Sequence, residues 1–126
     1  MSNKAPSAGF LTGKRILVVE DEFLIALDIE RIFEELEVEV VSVSRNRDAL
    51  GALQGRPFDL AVLDFKLDGD TSEATADRLV ERDVPFIFLT GTSDQTVPAR
   101  FRDVPVAHKP FDAETLLTAL HKAIPT

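Results

Sequence analysis

The sequence predicts an α/β fold with a parallel sheet covered by helices on both faces. Two observations carry this. Short runs rich in Val, Ile, Leu and Phe alternate with longer stretches of helical period. At 126 residues the chain suits one compact domain with a substantial core.

The candidate strands are residues 15–19, 38–43, 60–63 and 84–89, with a weaker fifth at 104–107. Between the first two, Ile25, Ile29, Ile32, Phe33 and Leu36 recur at helical spacing, with Asp28, Glu30, Glu34 and Glu35 elsewhere around the helix. Residues 47–54 and 71–82 form a second and third helix, the latter capped by Thr71 or Ser72. Asp112 caps a last helix over Ala113–Ala123, with Leu116, Leu117, Leu120 and Ile124 as its buried stripe. Residues 1–13, rich in Ser, Ala, Gly and Pro, read as a flexible tail, so the fold is expected to start at Lys14. The alternation implies parallel strands joined by right-handed crossovers. In such folds the ligand crevice lies beyond the carboxyl ends of the strands.

Composition closes several function classes. The chain has no cysteine, which removes disulfides, thiolate metal sites and cysteine nucleophiles. No apolar run approaches the roughly 20 residues that span a bilayer, and the N-terminus lacks a signal-peptide core. A cytoplasmic protein without membrane insertion is expected. The formal net charge of −8 opposes attraction to nucleic-acid phosphates, so no nucleic-acid partner is expected.

The residues that follow the strands are unevenly distributed. Glu20, Asp21 and Glu22 follow the first, Asp64 the third, Thr90 the fourth and Lys109 the fifth. Singly, each has an ordinary reading as a turn residue, a cap, a β-branched strand end or a solvated lysine. Together they converge on one crevice. Clustered carboxylates repel one another unless a cation is bound or some are protonated. A hard divalent ion held by carboxylates, a carbonyl and water fits Mg²⁺. Thr90 and Lys109 add a hydroxyl and a cation, as a phosphoryl clamp requires, and Asp64 at the end of a buried strand is the candidate nucleophile.

Four segments carry a family resemblance: Ile16-Leu-Val-Val-Glu-Asp-Glu22, Leu60-Ala-Val-Leu-Asp-Phe-Lys-Leu67, Phe86-Ile-Phe-Leu-Thr-Gly91 and His108-Lys-Pro-Phe111. In order and spacing the chain resembles the receiver domain of bacterial two-component response regulators, of the single-domain type. The resemblance implies a receiver domain over residues 14–126 and a doubly wound, flavodoxin-like, five-stranded sheet of order 2-1-3-4-5. It implies Asp64 as phosphoacceptor, Glu20 and Asp21 as the acidic pair that holds Mg²⁺ with Asp64, and the Lys66 backbone carbonyl as a further ligand. It also implies Thr90 and Lys109 as the groups that hold the phosphoryl oxygens, and a cis peptide before Pro110.

Partners implied in the same way are a sensor histidine kinase or a histidine phosphotransfer protein, and a downstream protein. The domain would then catalyse only its own phosphorylation and slow autodephosphorylation. Its output would be switched partner binding, or relay or drainage of phosphate.

Two departures mark this chain. Val106 stands where many receivers carry Tyr or Phe, so the usual Thr–aromatic switch has no ring. The segment between Thr90 and Lys109 is short and interrupted by Pro98, which predicts a short or irregular fourth helix. Phe88-Leu-Thr-Gly91 resembles a subgroup marked by Phe-Ala-Thr-Gly-x-Tyr and associated with HWE-type kinases, with Ser93 at the Tyr position.

Rival readings fail on particular residues. A calcium loop starting at Asp64 loses ligands at Lys66 and Thr75. An aspartyl-phosphate hydrolase has a second Asp where Lys66 stands. His108 and His121 have no partner at metal-ligand spacing and read as surface histidines, and no glycine-rich phosphate cradle follows the first strand. The remaining alternative is a receiver-like protein-binding module without turnover. Such degenerate receivers lose the acids or the lysine that this chain keeps.

Overall fold

The computed structural model describes residues 8–91 and 97–125. Its elements run β1 (Arg15–Val19), α1 (Phe23–Glu34), β2 (Glu39–Val43), α2 (Asn46–Leu53), β3 (Leu60–Asp64), β4 (Lys66–Leu67), β5 (Asp70–Thr71), α3 (Glu73–Glu81), β6 (Phe86–Thr90), β7 (Val106–His108) and α4 (Ala113–Ala123), with 3₁₀ turns at Ala8–Leu11 and Ala99–Phe101. The five-stranded sheet has the order β2-β1-β3-β6-β7 and is parallel throughout. This is the expected doubly wound order, with β6 and β7 as its fourth and fifth strands.

Strand alternation divides the core. Ile16, Val18, Leu60, Val62, Ile87 and Leu89 face α1 and α4, where Ile29, Phe33, Leu116 and Leu120 meet them. Leu17, Val19, Ala61, Leu63, Phe86 and Phe88 face α2 and α3, where Leu53 and Leu79 pack. Because both faces of β3 and β6 are covered, every residue of these strands is buried, which is why they read as continuous apolar runs. Asp112 caps α4 as expected: its Oδ1 accepts the Thr115 N–H at 2.9 Å.

Two local features differ from the sequence expectation, and a third agrees with it. Residues 8–13 belong to the fold rather than to a tail: Leu11 is fully buried in the core beneath α1 and α4, and Phe10 packs edge-on against His121 at 5.1 Å between ring centroids. The apolar pair is too short to show a period. Residues 1–7 lie outside the described residues. Second, residues 66–71 form a hairpin, with Lys66 opposite Thr71 and Leu67 opposite Asp70. Gly69 takes φ +74° in its turn, so the Asp68-Gly69 dipeptide was the available signal. That hairpin delays α3 to Glu73, whose N–H donates to Thr71 Oγ1 at 3.4 Å, while the Ser72 side chain makes no capping bond.

Third, the stretch between β6 and β7 contains no α-helix among its described residues, only the 3₁₀ turn at Ala99–Phe101. This agrees with the short or irregular fourth helix expected there. Phe101 anchors the turn by packing edge-on against Phe88 and Phe86, and Arg100 makes a two-bond fork to Asp77 at 3.0 and 3.1 Å. Residues 92–96, with Ser93 of the subgroup motif, lie outside the described residues. Among the described residues no helix is long and apolar enough to cross a membrane.

Candidate functional site

Parallel pairing places the carboxyl ends of four strands at one edge. Val19 is level with Leu63, Asp64 with Leu89, and Thr90 with His108. Glu20, Asp64, Thr90 and Lys109 therefore emerge side by side although the sequence spreads them over 90 positions, from 20 to 109. Glu20, Asp64 and Thr90 are each only 3–4 % exposed, while Asp21 is half-buried and Glu22 exposed.

Carboxylate oxygens of Glu20, Asp21 and Asp64 all lie within 4.8 Å of one another. The Lys109 ammonium reaches into this group, 3.0 Å from Glu20 Oε1, 3.2 Å from Asp64 Oδ2 and 3.3 Å from Glu22 Oε1. The peptide between Lys109 and Pro110 is cis, as the resemblance implied. Two backbone N–H groups orient the acidic pair: that of Glu22 donates to Glu20 Oε2 at 3.0 Å, and that of Asp68 donates to Asp21 Oδ2.

The electrostatics are those of a site short of positive charge. Burial, then the hydrogen bond and charge of Glu20, push the Asp64 carboxyl up from 3.8 to about 7, and Lys109 only partly opposes them. For Lys109, burial acts to lower the pKa, but Glu20 and Asp64 outweigh it and hold the ammonium above its ordinary value. Glu20 Oε1 is buried and accepts no hydrogen bond. Its compensation is the ion pair with Lys109. Three converging carboxylates form the hard, all-oxygen donor set that Mg²⁺ prefers.

Most of the residues singled out in the sequence are thus brought together. Lys66 stands apart: its side chain is exposed and its backbone belongs to the hairpin that follows Asp64. Thr90 has an unexpected partner, because its Oγ1 lies 3.0 Å from His108 Nδ1. The sequence offered His108 only as a surface residue; the strand register is what pairs it with Thr90. Asn46 was also missed. Its Nδ2 donates to the Thr71 carbonyl at 2.7 Å and to Asp70 at 3.2 Å, and its Oδ1 accepts from Thr75 at 2.6 Å, which ties the hairpin to α2 and α3. An open groove of about 960 Å³ beside the acids is lined by Asp21, Arg45, Arg47, Lys66 and Asp70 among others.

A five-stranded doubly wound sheet with three acids, a lysine and a threonine at its carboxyl edge defines a receiver-type site. Residues 16–121 match the response regulator receiver domain, and the chain belongs to that family, of which phosphorylation and Mg²⁺ are general properties. It is similar to SdrG from Sphingomonas melonis Fr1, with 41% sequence identity, a TM-score of 0.79, and coverage of 94% of this chain and 98% of that one. The transcriptional regulatory protein PdtaR of Mycobacterium tuberculosis H37Rv is 27% identical over 129 residues, 98% of this chain and 63% of PdtaR. The phyllosphere-induced regulator PhyR of Methylorubrum extorquens AM1 is 32% identical over 116 residues, 86% of this chain and 43% of PhyR. The chain therefore spans about half of the length of these curated relatives.

Proposed function

We propose that this domain accepts a phosphoryl group on Asp64 from a phosphohistidine of a sensor kinase or phosphotransfer protein, and that the phosphorylated form binds a downstream protein differently. The observation that carries the reading is the Lys109 ammonium 3.2 Å from Asp64 Oδ2, beside the acidic pair Glu20 and Asp21.

An Asp64 oxygen attacks phosphorus in line with the leaving imidazole nitrogen. The new O–P bond forms as the P–N bond breaks, and its electron pair returns to the imidazole. Asp64 must be ionised to attack, so the burial that raises its pKa has to be offset by positive charge. Glu20, Asp21, Asp64 and the Lys66 carbonyl would hold Mg²⁺, which when bound neutralises charge around the transferred group. Lys109 stays paired with Asp64 and takes a phosphoryl oxygen, and Thr90 supplies a hydroxyl hydrogen bond to another. Later attack by water on phosphorus breaks the O–P bond, releases inorganic phosphate and restores Asp64.

The Phe88-Leu-Thr-Gly91 motif, through the subgroup it resembles, supports an HWE-type kinase as donor. The state change is a shift of population between arrangements of the stretch around Thr90 and the 3₁₀ turn that follows.

Incubation with acetyl phosphate and Mg²⁺, followed by intact mass, tests the reading. The wild type should gain a single phosphoryl group that is lost in EDTA and in Asp64→Asn. An undiminished gain in Asp64→Asn, or none in the wild type, refutes it.

A further inference from the structure

We propose that His108 is a positioning residue for phosphoryl transfer: its Nδ1 holds the one hydroxyl proton of Thr90 in the unphosphorylated protein, so Thr90 must leave the imidazole before it can donate to a phosphoryl group on Asp64. This rests on the phosphoacceptor reading above.

The geometry is direct. Thr90 and His108 are register partners on β6 and β7, and Thr90 Oγ1 lies 3.0 Å from His108 Nδ1. At 3 % exposure Thr90 has little access to solvent, so a proton given to Nδ1 is not readily exchanged for a bond to water. A threonine hydroxyl has one hydrogen and two lone pairs. A phosphoryl oxygen only accepts, so it and a bare Nδ1 compete for that single hydrogen.

The direction of the bond follows from the imidazole. A neutral ring carries its hydrogen on one nitrogen, and the nitrogen opposite then accepts. His108 is an exposed residue, and the Nε2–H form, the favoured tautomer of a neutral histidine in water, leaves Nδ1 bare to accept from Thr90. Val106 and Ala107, the other residues of β7, have no polar side-chain atom, so His108 alone on this strand has a side chain able to do this. Thr90 is thus restrained by a polar partner in a chain that lacks an aromatic ring at Val106.

Two measurements test it. In the phosphate-free protein, long-range ¹H–¹⁵N spectra of the imidazole should show Nε2 protonated and Nδ1 as an acceptor, also in Asp64→Asn, which makes this arm independent of phosphoryl transfer. A protonated Nδ1 in the neutral ring overturns the proposal. In the second arm, binding of beryllofluoride with Mg²⁺ is compared in wild type, His108→Ala and His108→Asn.

His108→Ala should bind about 2- to 12-fold more tightly, the equivalent of one net hydrogen bond no longer broken. His108→Asn, whose amide oxygen can replace Nδ1, should stay near wild type, and the gain should vanish in a Thr90→Val background. Wild-type binding with no gain in His108→Ala, or a gain that persists without the Thr90 hydroxyl, overturns the His108 assignment alone. Failure of the wild type to take beryllofluoride overturns the phosphoacceptor reading and this one with it.

Discussion

The Lys109 ammonium sits 3.2 Å from Asp64 Oδ2 and is also paired to Glu20 at 3.0 Å, so it occupies the carboxylates that a divalent cation would use. On the proposed reading Mg²⁺ would compete with Lys109 for Glu20, while Lys109 keeps its pairing with Asp64. Lys109→Gln should lower the stability of the metal-free protein at pH 8 by about 3–5 kcal/mol, because two buried acids lose their counter-charge. It should also enlarge the rise in Tm that Mg²⁺ produces. Thermal unfolding across a Mg²⁺ titration measures both, and a smaller Mg²⁺ effect in the variant would contradict the competition.

Asp64 makes stability depend on pH in an unusual sense. Its folded pKa, about 7, lies above the ordinary 3.8, so between these values the folded protein holds a proton that the unfolded chain has released. Stability then falls as pH rises through that window. In EDTA, Asp64→Asn should be more stable than wild type at pH 8, by no more than about 4 kcal/mol. The difference should shrink toward zero as pH falls to about 4. Denaturant curves at several pH values check this, and a gain that does not change with pH would assign the effect to packing.

Asn46 holds the hairpin behind the site through Thr71, Asp70 and Thr75. Thr75 is fully buried, so Asn46→Ala leaves its hydroxyl without that partner. A loss of about 2 kcal/mol is expected in urea unfolding. Mg²⁺ binding should weaken as well, because Lys66 lies in the hairpin that Asn46 restrains.

Phe101 is the apolar anchor of the 3₁₀ turn beyond β6, 5.5 Å between ring centroids from Phe88. Phe101→Ala should cost about 3–5 kcal/mol. Hydrogen exchange should accelerate most in residues 97–104, ahead of β1 and β3. Uniform acceleration would mean that the turn is not a separate unit.

The sequence exposed what depends on repetition and on chemistry. Buried β3 and β6 announce themselves as unbroken apolar runs, and α1 and α4 as stripes of helical period. Glu20, Asp21, Asp64 and Lys109 were legible because charged groups at strand ends demand an explanation. The features missed are short or depend on register. The two-residue strands β4 and β5 have no period to detect, and Phe10 and Leu11 are one apolar pair in a segment rich in Ser, Ala, Gly and Pro. The contact of His108 with Thr90 arises only when β6 and β7 align, and Asn46 acts through partners 24 to 29 positions away. Asp21 and Glu22, adjacent in sequence, part company in the fold: Asp21 accepts the Asp68 N–H, and Glu22 pairs with Lys109.

In the proposed reaction Asp64 carries the phosphoryl group. Borohydride reduction of the protein after treatment with acetyl phosphate and Mg²⁺ converts an aspartyl phosphate to homoserine, and peptide mass mapping then locates it. Homoserine at position 64, absent without the phosphodonor, is the result expected. Homoserine at Asp21 or elsewhere with residue 64 unchanged would overturn Asp64 as the phosphoacceptor.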